Sequence, residues 1–517
     1  MMKPLLPILS LATAITAQYQ NPVLWEDLAD IDILRVDDAF YYSASTMHYS
    51  PGAPILRSYD LVNWEYAGHS VPELDWGDKY NLNGGRAYVK GIWASTLNYR
   101  PSTSSFYWGG CIESGKTYMY TAPAVEGPWE RHDPPIDRCY YDAGLLVDDD
   151  DALYVAYGNT EISVARLSED GFSEVENRQV FTSDFTIEGA RFYKIDGKYY
   201  ILVTRPPDAQ FVLMSTAGPF GPYTMKPLVD RVASPVPETG APHQGGIVDT
   251  PNGDWYYMAF IDAYPGGRLP VLAPIIFDAD GWPSVQLVNG GWGASYPMPT
   301  ISASASKKVK RTLGTDTFNG TSLSHEWEWN HNPDTTKYSV DNGLYLQAAT
   351  VTDDLYAARN TLTRRIPGPA STATIILDIA GMLDGDHAGL TLLRQSSAWI
   401  GIKKDAGGAA RVVMVNGITM TEDWETDSKG EETDSVPVPE GAERVWLRAR
   451  ADIDPSSAGE GSFEYSVDGE GFLPLGDTLV FNREWQFFMG YRFGIFYYAT
   501  QELGGTVVVE EFEVVVA

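Results

Sequence analysis

The sequence predicts an all-β protein, with a five-bladed β-propeller followed by a β-sandwich of the jelly-roll type. Short aromatic strands recur five times in the first 270 residues, and no long segment has helical periodicity. Repeats of about 45 to 65 residues that each resemble a small antiparallel sheet are typical of propeller blades. The second half alternates strands and turns every 8 to 12 residues or so, as sandwiches do.

Each predicted blade contains one aromatic strand and, before it, one polar or aromatic residue at a similar distance. The strands are 39–42, 105–108, 152–155, 197–200 and 253–256. The preceding residues stand 11 to 13 positions before the first bulky residue of each strand core and are Asp30, Trp93, Asp142, Glu188 and His243. The first strand of every blade lines the axis, so residues at one phase converge on one point. Three carboxylates, a histidine and a tryptophan meeting there form the layout of a sugar-cleaving pocket.

The three acids divide the work that such a pocket requires. A glycosidic bond breaks between a protonated carboxyl group, which assists the leaving oxygen, and an ionised one, which activates water or attacks. Glu188 is the candidate proton donor, because small residues follow it and partial desolvation raises a carboxyl pKa. Asp30 is the candidate base, whereas Asp32 lies out of phase. Asp142 would position Glu188 and raise its pKa by like-charge proximity; alone, each acid could equally be an ordinary turn residue.

Three further residues are candidate substrate-binding groups. His243 could hold a water molecule or a hydrated cation on the axis, or it could be a structural histidine. Trp93 could form a wall of the sugar pocket or pack in the core. Arg268 follows the fifth aromatic strand and could bind sugar hydroxyls or steady a carboxylate, unless it is a surface residue.

Composition excludes some partners. The chain has 37 basic and 69 acidic residues and a formal net charge of −32. Nucleic acid and anionic membranes are therefore disfavoured, since phosphate binding needs a cationic surface. A neutral polysaccharide is compatible with this charge. We expect a monomer.

The N-terminus predicts export. Residues 1–17 carry Lys3 and then an apolar stretch too short to span a membrane, which is the pattern of a secretory signal peptide. In an oxidising extracellular compartment, Cys111 and Cys139 favour a disulfide over two separately buried thiols. Asn319 begins an Asn-Gly-Thr glycosylation sequon.

The predicted domains follow from shifts in composition. The propeller occupies residues 18–297, and a linker of small and basic residues occupies 298–311. The sandwich occupies 312–517. Within it, the acidic stretch 421–443 is predicted as a long solvated loop.

The first half contains five short motifs, at 21–24, 30–36, 57–64, 187–189 and 243–250. These motifs resemble those of glycoside hydrolase family 43, whose members are five-bladed propeller enzymes acting on xylan and arabinan. The second half, with motifs such as 327–333 and 358–362, resembles the concanavalin-like sandwich of β-xylosidase-type members. The resemblance implies inversion at the anomeric carbon, with Asp30 as base, Glu188 as acid and Asp142 as pKa modulator. It also implies that a calcium ion near His243 could be present on the axis, although the chemistry requires no cofactor.

Departures from the family pattern bear on the substrate. Ile31 and Ser95 stand where the family usually has proline, and segment 46–54 lacks the aromatic-acidic run of β-xylosidase-like members. This segment is similar to that of the fungal branch, which removes arabinofuranose side chains from arabinoxylan, including doubly substituted xylose. A β-xylosidase, or an enzyme with both activities, is the first alternative. A non-catalytic carbohydrate-binding propeller is the second.

Overall fold

A computed structural model of the protein describes residues 17–301, 307, 309 and 313–517. All but the last residue of the predicted signal peptide, and much of the predicted linker, lie outside the described residues. The all-β prediction is confirmed. Three short 3-10 helices accompany the strands of the described residues: Asp78–Asn81, Leu355–Ala357 and Trp485–Phe487. None of the described helices has the length and apolar character needed to cross a membrane.

The first half forms five four-stranded antiparallel sheets, which are the blades of a propeller. The innermost strands of neighbouring blades contact one another around the axis, and the aromatic strands are the second strand of each blade. From the axis outward, the strands are Asp32–Val36, Ala39–Ser43, Gly52–Ser58 and Trp64–Val71 in blade 1; Thr96–Arg100, Ser105–Ile112, Lys116–Ala122 and Glu130–Ile136 in blade 2; Gly144–Val147, Leu153–Asn159, Glu161–Leu167 and Glu174–Thr182 in blade 3; Glu188–Ile195, Lys198–Arg205, Ala209–Ser215 and Thr224–Asp230 in blade 4; and His243–Asp249, Trp255–Asp262, Arg268–Phe277 and Pro283–Val285 in blade 5.

The two ends of the propeller meet beside blade 5. Strand Gln18–Gln20 pairs antiparallel with strand Ser295–Pro297. The segment that follows runs along blade 5, where the Leu28 N–H donates to the Arg268 carbonyl oxygen at 3.0 Å. The N-terminal segment is thereby held on the propeller just before the predicted base, Asp30.

The second half is a sandwich of two antiparallel sheets with a shared apolar core. One sheet contains Tyr338–Val340, Leu344–Gln347, Thr506–Val516, Ala370–Asp378, Arg444–Asp452, Glu460–Ser466 and Leu473–Pro474, with Gly314–Asp316 and Leu479–Val480 attached to it. The other runs Thr426–Pro437, Ala410–Met420, Ser396–Lys404, Asp386–Leu393, Arg492–Ala499, Leu362–Arg365, Glu328–Asn330 and Tyr49–Ser50.

The acidic stretch predicted as a solvated loop is instead largely a strand. Thr426–Pro437 pairs with Ala410–Met420 at the edge of the sandwich. Most of its residues are exposed, so it lacks the apolar alternation by which a half-buried strand is recognised. A charged edge strand also resists pairing with other chains, which accounts for its composition. The prediction of a loop was therefore wrong.

The two domains share both a sheet and a buried charge cluster. Strand Tyr49–Ser50 of the propeller pairs with Glu328–Asn330 of the sandwich. Glu328 is fully buried and accepts hydrogen bonds from Arg492 at 2.6 Å and Arg365 at 3.0 Å. Burial opposes ionisation of this carboxyl, but the two arginines outweigh it and hold the pKa of Glu328 well below its usual range.

Two histidines are buried side by side in the same interface. The rings of His48 and His331 are 4.8 Å apart, and neither side chain is exposed to solvent. Ring nitrogens of both accept backbone N–H groups, from Val89 to His48 and from Ala87 to His331. Burial lowers the pKa of His48 well below its usual value and that of His331 to about 3. Both rings are therefore neutral in the folded protein.

These histidines predict a loss of stability in acid. Below pH ~6.5 these histidines bind protons in the unfolded chain but not in the folded protein. Each of them therefore lowers the free energy of unfolding by up to about 1.4 kcal/mol per pH unit. This stability is present above that pH and is lost as the pH falls. In His331→Gln, which cannot titrate, the difference in Tm between pH 7.5 and pH 5.5 should be smaller than in the wild type by scanning calorimetry. An unchanged difference would contradict this explanation.

Candidate active site

The five residues predicted to converge on the axis lie at the start of the innermost strands or just before it. Glu188 and His243 are the first residues of their strands, and Asp30 and Asp142 each stand two residues before theirs. Trp93 stands three residues before its strand. Since these strands surround the axis in one orientation, the five side chains are brought to one end of the propeller.

Both aspartates adopt an uncommon backbone conformation. Their φ angles are 59° for Asp30 and 51° for Asp142, in the left-handed region that few residues other than glycine occupy. Aspartate tolerates this region better than most residues. Such conformations cost energy and persist where the surrounding structure enforces them, often at functional sites.

Arg191 enforces the positions of the backbone around the acids. It lies three residues after Glu188 and is 1% exposed. Its guanidinium donates to the carbonyl oxygens of Asp30 at 2.7 Å, Ile31 at 2.9 Å and Ala143 at 2.6 Å. One side chain of blade 4 thus connects the segments that carry the predicted base and Asp142.

Glu188 is partly buried and holds two hydrogen bonds on one oxygen. Its Oε2 accepts from the Tyr141 hydroxyl at 3.1 Å and from the Asn159 side-chain amide at 2.8 Å. Burial raises the pKa of Glu188, and the negative charge of Asp30 adds to this effect. The two hydrogen bonds act in the opposite direction, because they stabilise the ionised form. The net result is a raised pKa, which suits a proton donor.

Asp142 is buried next to Glu188 and is still harder to ionise. Burial raises the pKa of Asp142 well above its usual range, and the charges of Glu188 and Asp30 add to the effect. Arg191 and the N–H of Gly189 oppose it without reversing it. Two neighbouring carboxyl groups in this situation titrate as a pair, and the pair retains a proton more readily than either group alone.

Asp30 has a different partner. It is 4% exposed, and its Oδ1 accepts a hydrogen bond from Arg268 at 3.0 Å, which is also an ion pair. Arg268 is buried as well and also donates to the Phe488 carbonyl oxygen of the sandwich at 3.0 Å. Arg268 is therefore buried beside the carboxylate of Asp30 and is not a surface residue.

A cavity of about 440 Å³ has one of the three acids, Asp142, in its lining. Its walls include Trp93, Tyr141, Asp142 and Lys90. The Trp93 ring meets the ring of Phe488 edge to face at 4.7 Å, so a loop of the sandwich supports one wall. An aromatic and polar lining of this kind is suited to a sugar, whose C–H face packs on rings while its hydroxyls find polar partners.

His243 is buried and held within blade 5. Its Nδ1 lies 2.9 Å from the Ala241 carbonyl oxygen, and its ring packs against Phe260 at 4.6 Å. The nearest carboxylate is Asp262, 3.9 Å from Nε2. Calcium takes six to eight oxygen ligands, which this set does not provide, and the described residues contain no cluster of three or more His, Cys, Asp or Glu side chains arranged for a metal. The residues present do not fit direct calcium binding.

The two cysteines and the sequon lie in different parts of the molecule. Cys111, in the second strand of blade 2, forms a disulfide with Cys139 and lies in the cavity wall. Asn319 is exposed in the sandwich domain, where its amide donates to the Thr317 hydroxyl. A disulfide beside the cavity ties down the loop that leads to Tyr141 and Asp142.

Four residues of the site were missed by the sequence reasoning. They are Arg191, Tyr141, Asn159 and Phe488. Tyr141 and Arg191 stand one and three residues from predicted acids, and this adjacency was a usable signal. Asn159 ends the second strand of blade 3 and Phe488 belongs to the other domain, so only the fold brings them to the cavity.

Glycosidic-bond cleavage needs one carboxyl group that retains a proton and a second carboxyl group that does not. The raised pKa of Glu188 and the pairing of Asp30 with Arg268, at one end of a propeller axis, are the features of a glycoside hydrolase. Comparison with known families agrees with this class. Residues 19–283 match the model of glycosyl hydrolases family 43, and residues 315–515 match the β-xylosidase C-terminal concanavalin A-like domain. The chain belongs to glycoside hydrolase family 43.

Individual relatives cover nearly the whole chain. One solved structure has 48% sequence identity and a TM-score of 0.94, and the match covers 96% of this chain and 100% of that one. It is a family 43 enzyme whose active site was engineered to give both endo-xylanase and exo-arabinofuranosidase activity. A β-xylosidase of Formosa agariphila is 27% identical over 96% of this chain and 90% of its own length. A non-reducing end α-L-arabinofuranosidase of Bacteroides ovatus is 26% identical over 72% of this chain and 73% of its own.

The contacts of Glu188 predict opposite effects of two substitutions on the pH profile. Asn159→Ala removes a donor that stabilises the carboxylate, so the pKa of Glu188 should rise and the alkaline limb of kcat/KM should move to higher pH. Asp142→Asn removes the second carboxyl group of the pair, which retains its last proton more readily than Glu188 alone, so that limb should move to lower pH. Both profiles would be measured on a nitrophenyl glycoside. Shifts in the same direction would contradict the roles assigned to these contacts.

Proposed function

We propose that the protein is an inverting α-L-arabinofuranosidase that releases arabinofuranose side chains from arabinoxylan, including those on doubly substituted xylose. The convergence of Asp30, Asp142 and Glu188 at one end of the axis supports the hydrolytic chemistry. The relative at 48% identity, whose engineered form has exo-arabinofuranosidase activity, supports the choice of sugar. Segment 46–54 is unlike that of β-xylosidase-like members, but it was expected at the rim and is instead mostly buried and does not line the cavity, so it gives no support to either sugar.

The proposed reaction is a single displacement. Glu188 gives its proton to the xylose oxygen as the bond from that oxygen to the anomeric carbon breaks. On the opposite face, a water molecule attacks this carbon, and Asp30 accepts the proton that the water releases. Asp142 acts as pKa modulator by forming with Glu188 a carboxyl pair that retains a proton, and Arg268 orients Asp30 through their hydrogen bond.

A β-xylosidase is the second candidate. The similarity to the Formosa agariphila β-xylosidase extends over 96% of this chain, which is the observation in its favour. The same three acids would serve both reactions, because only the sugar in the cavity differs. The relative turnover of aryl xyloside and aryl arabinofuranoside separates the two candidates.

Export is a further part of the proposal, together with action as a monomer. The N-terminal apolar stretch supports export, and the disulfide between Cys111 and Cys139 is of the kind that persists outside the cell. An extracellular location would bring the enzyme to an insoluble or high-molecular-weight polysaccharide.

Proton NMR of arabinoxylan digestion tests the proposed substrate and stereochemistry together. We expect early β-arabinofuranose signals and loss of side-chain anomeric resonances in the first minutes, before mutarotation. The resonances that disappear identify single or double substitution. Release of xylose instead would assign a β-xylosidase, and early α-arabinofuranose would refute inversion. If no sugar is released from arabinoxylan or any related glycan, the non-catalytic carbohydrate-binding propeller remains as the explanation.

Substitution of the two principal acids should have different signatures. Glu188→Ala should lose about 100- to 10,000-fold in kcat on arabinoxylan, the usual contribution of a general acid, and less on a nitrophenyl substrate that leaves without protonation. Asp30→Ala should abolish both activities, since water activation is needed for every leaving group. Glu176→Ala, an exchange of an outer-strand carboxylate of blade 3, is the control and should leave both rates unchanged.

Equal loss on both substrates in Glu188→Ala would contradict its role as the acid. Restoration of Asp30→Ala by azide with retained configuration would make Asp30 a nucleophile and exclude the single displacement.

A further inference from the structure

A loop of the sandwich, residues 482–490, approaches the catalytic end of the propeller. Arg394 of the sandwich holds its shape and is 1% exposed. The guanidinium donates to three carbonyl oxygens of the loop, those of Met489 at 2.6 Å, Asn482 at 3.0 Å and Glu484 at 2.5 Å. A loop held by one buried side chain at three points has a defined backbone position relative to its own domain.

The end of this loop packs backbone against backbone on blade 5. A Cβ on Gly490 would lie 2.2 Å from the Gly266 carbonyl oxygen and 2.9 Å from the Gly267 nitrogen. Gly267 has a φ of 95°, and a Cβ there would lie 2.3 Å from Asp27 Oδ1. No side chain fits at either position. The two backbones therefore approach more closely than any residue other than glycine would permit at these positions. The approach occurs directly before Arg268 in the chain.

Asp27 joins the two surfaces at this contact. It is 7% exposed, and one carboxylate oxygen accepts from the Arg268 N–H at 2.8 Å. The other accepts from the Gly490 N–H at 2.9 Å. Arg268 completes the connection, because its guanidinium donates to the Phe488 carbonyl oxygen and to Asp30 Oδ1, each at 3.0 Å. Two hydrogen bonds from different domains thus meet on one carboxylate.

We propose that Asp27 and Gly490 are positioning residues through which the sandwich domain sets the location of Arg268 and, through Arg268, of the base Asp30. The base would then be aligned by a contact between domains and not by the propeller alone. This inference rests on the proposed role of Asp30, and it holds whichever sugar occupies the cavity. It assigns a catalytic requirement to the sandwich domain, whose Phe488 also packs against Trp93 in the cavity wall.

The test uses the full-length protein with Asp27→Asn and Gly490→Ala. Asp27→Asn keeps the size of the side chain and one acceptor oxygen but loses the second acceptor. Each variant should lower kcat by between about 10-fold and 100-fold, the scale expected for a displacement of a catalytic group near 1 Å. The loss should be equal on arabinoxylan and on nitrophenyl arabinofuranoside, since the displacement of either leaving group requires base-assisted attack of water. KM should change less than kcat.

Two matched controls separate positioning from general destabilisation. Asp278→Asn makes the same exchange at a carboxylate that accepts the Asp280 and Trp282 N–H groups in an outer turn of blade 5. Gly471→Ala adds a methyl group where nothing lies within 4 Å. Both controls should keep the wild-type kcat. The double variant Asp27→Asn/Gly490→Ala should lose little more than the worse single variant, because both act through one contact.

A lowered Tm with an unchanged kcat in Asp27→Asn would overturn the proposal and leave a structural role. A loss confined to the poor leaving group would also overturn it, since it would implicate Glu188. If the wild type cleaves aryl xyloside instead of aryl arabinofuranoside, the proposed function fails, whereas the same variants on aryl xyloside still test the positioning. If Gly490→Ala does not fold, Asp27→Asn alone decides the outcome.

Discussion

The arrangement of the catalytic end depends on the burial of one guanidinium on the propeller axis. Arg191 can be buried because its N–H groups are met by carbonyl oxygens, including those of Asp30 and Ala143. An unmet donor there would cost the full desolvation of a charged group, so the three innermost strands cannot move apart independently. Because these hydrogen bonds are made to backbone carbonyl oxygens, they position the acidic residues and leave the carboxyl groups free to contact a substrate.

The same principle of opposed burial and charge explains how three acids can differ. Glu188 and Asp142 lie together in a partly desolvated space, where burial raises the pKa of both and the charge of Glu188 raises that of Asp142 further. Asp30 instead faces the guanidinium of Arg268. In the proposed reaction, chemically similar groups therefore act as proton donor and proton acceptor because their neighbours differ, which is how enzymes run acid and base chemistry at one pH.

The two domains form one functional unit. They share a sheet through strand Tyr49–Ser50, and Glu328 of the sandwich lies in an interface cluster of two arginines and a histidine. Breaking such a buried cluster would leave an uncompensated charge, so separation of the domains is costly. Because the domains are held together in this way, Phe488 of the second domain can contact Trp93 and accept a hydrogen bond from Arg268.

The sequence by itself determined the fold class, the blade repeats and the phase at which Asp30, Asp142, Glu188, His243 and Trp93 occur. It could do so because aromatic strand patterns and residue spacing are local properties that repeat along the chain. The tertiary structure alone decided the partners of these residues. Strand Thr426–Pro437 is revealed only by its pairing, because its exposed residues lack apolar alternation. Asn159 and Phe488 reach the site from another strand and from the other domain, and Arg191, although close to Glu188 in the chain, bonds to the backbone of two other blades. These bonds join residues far apart in the chain, so no local pattern records them, and burial and hydrogen bonding in the folded molecule select them.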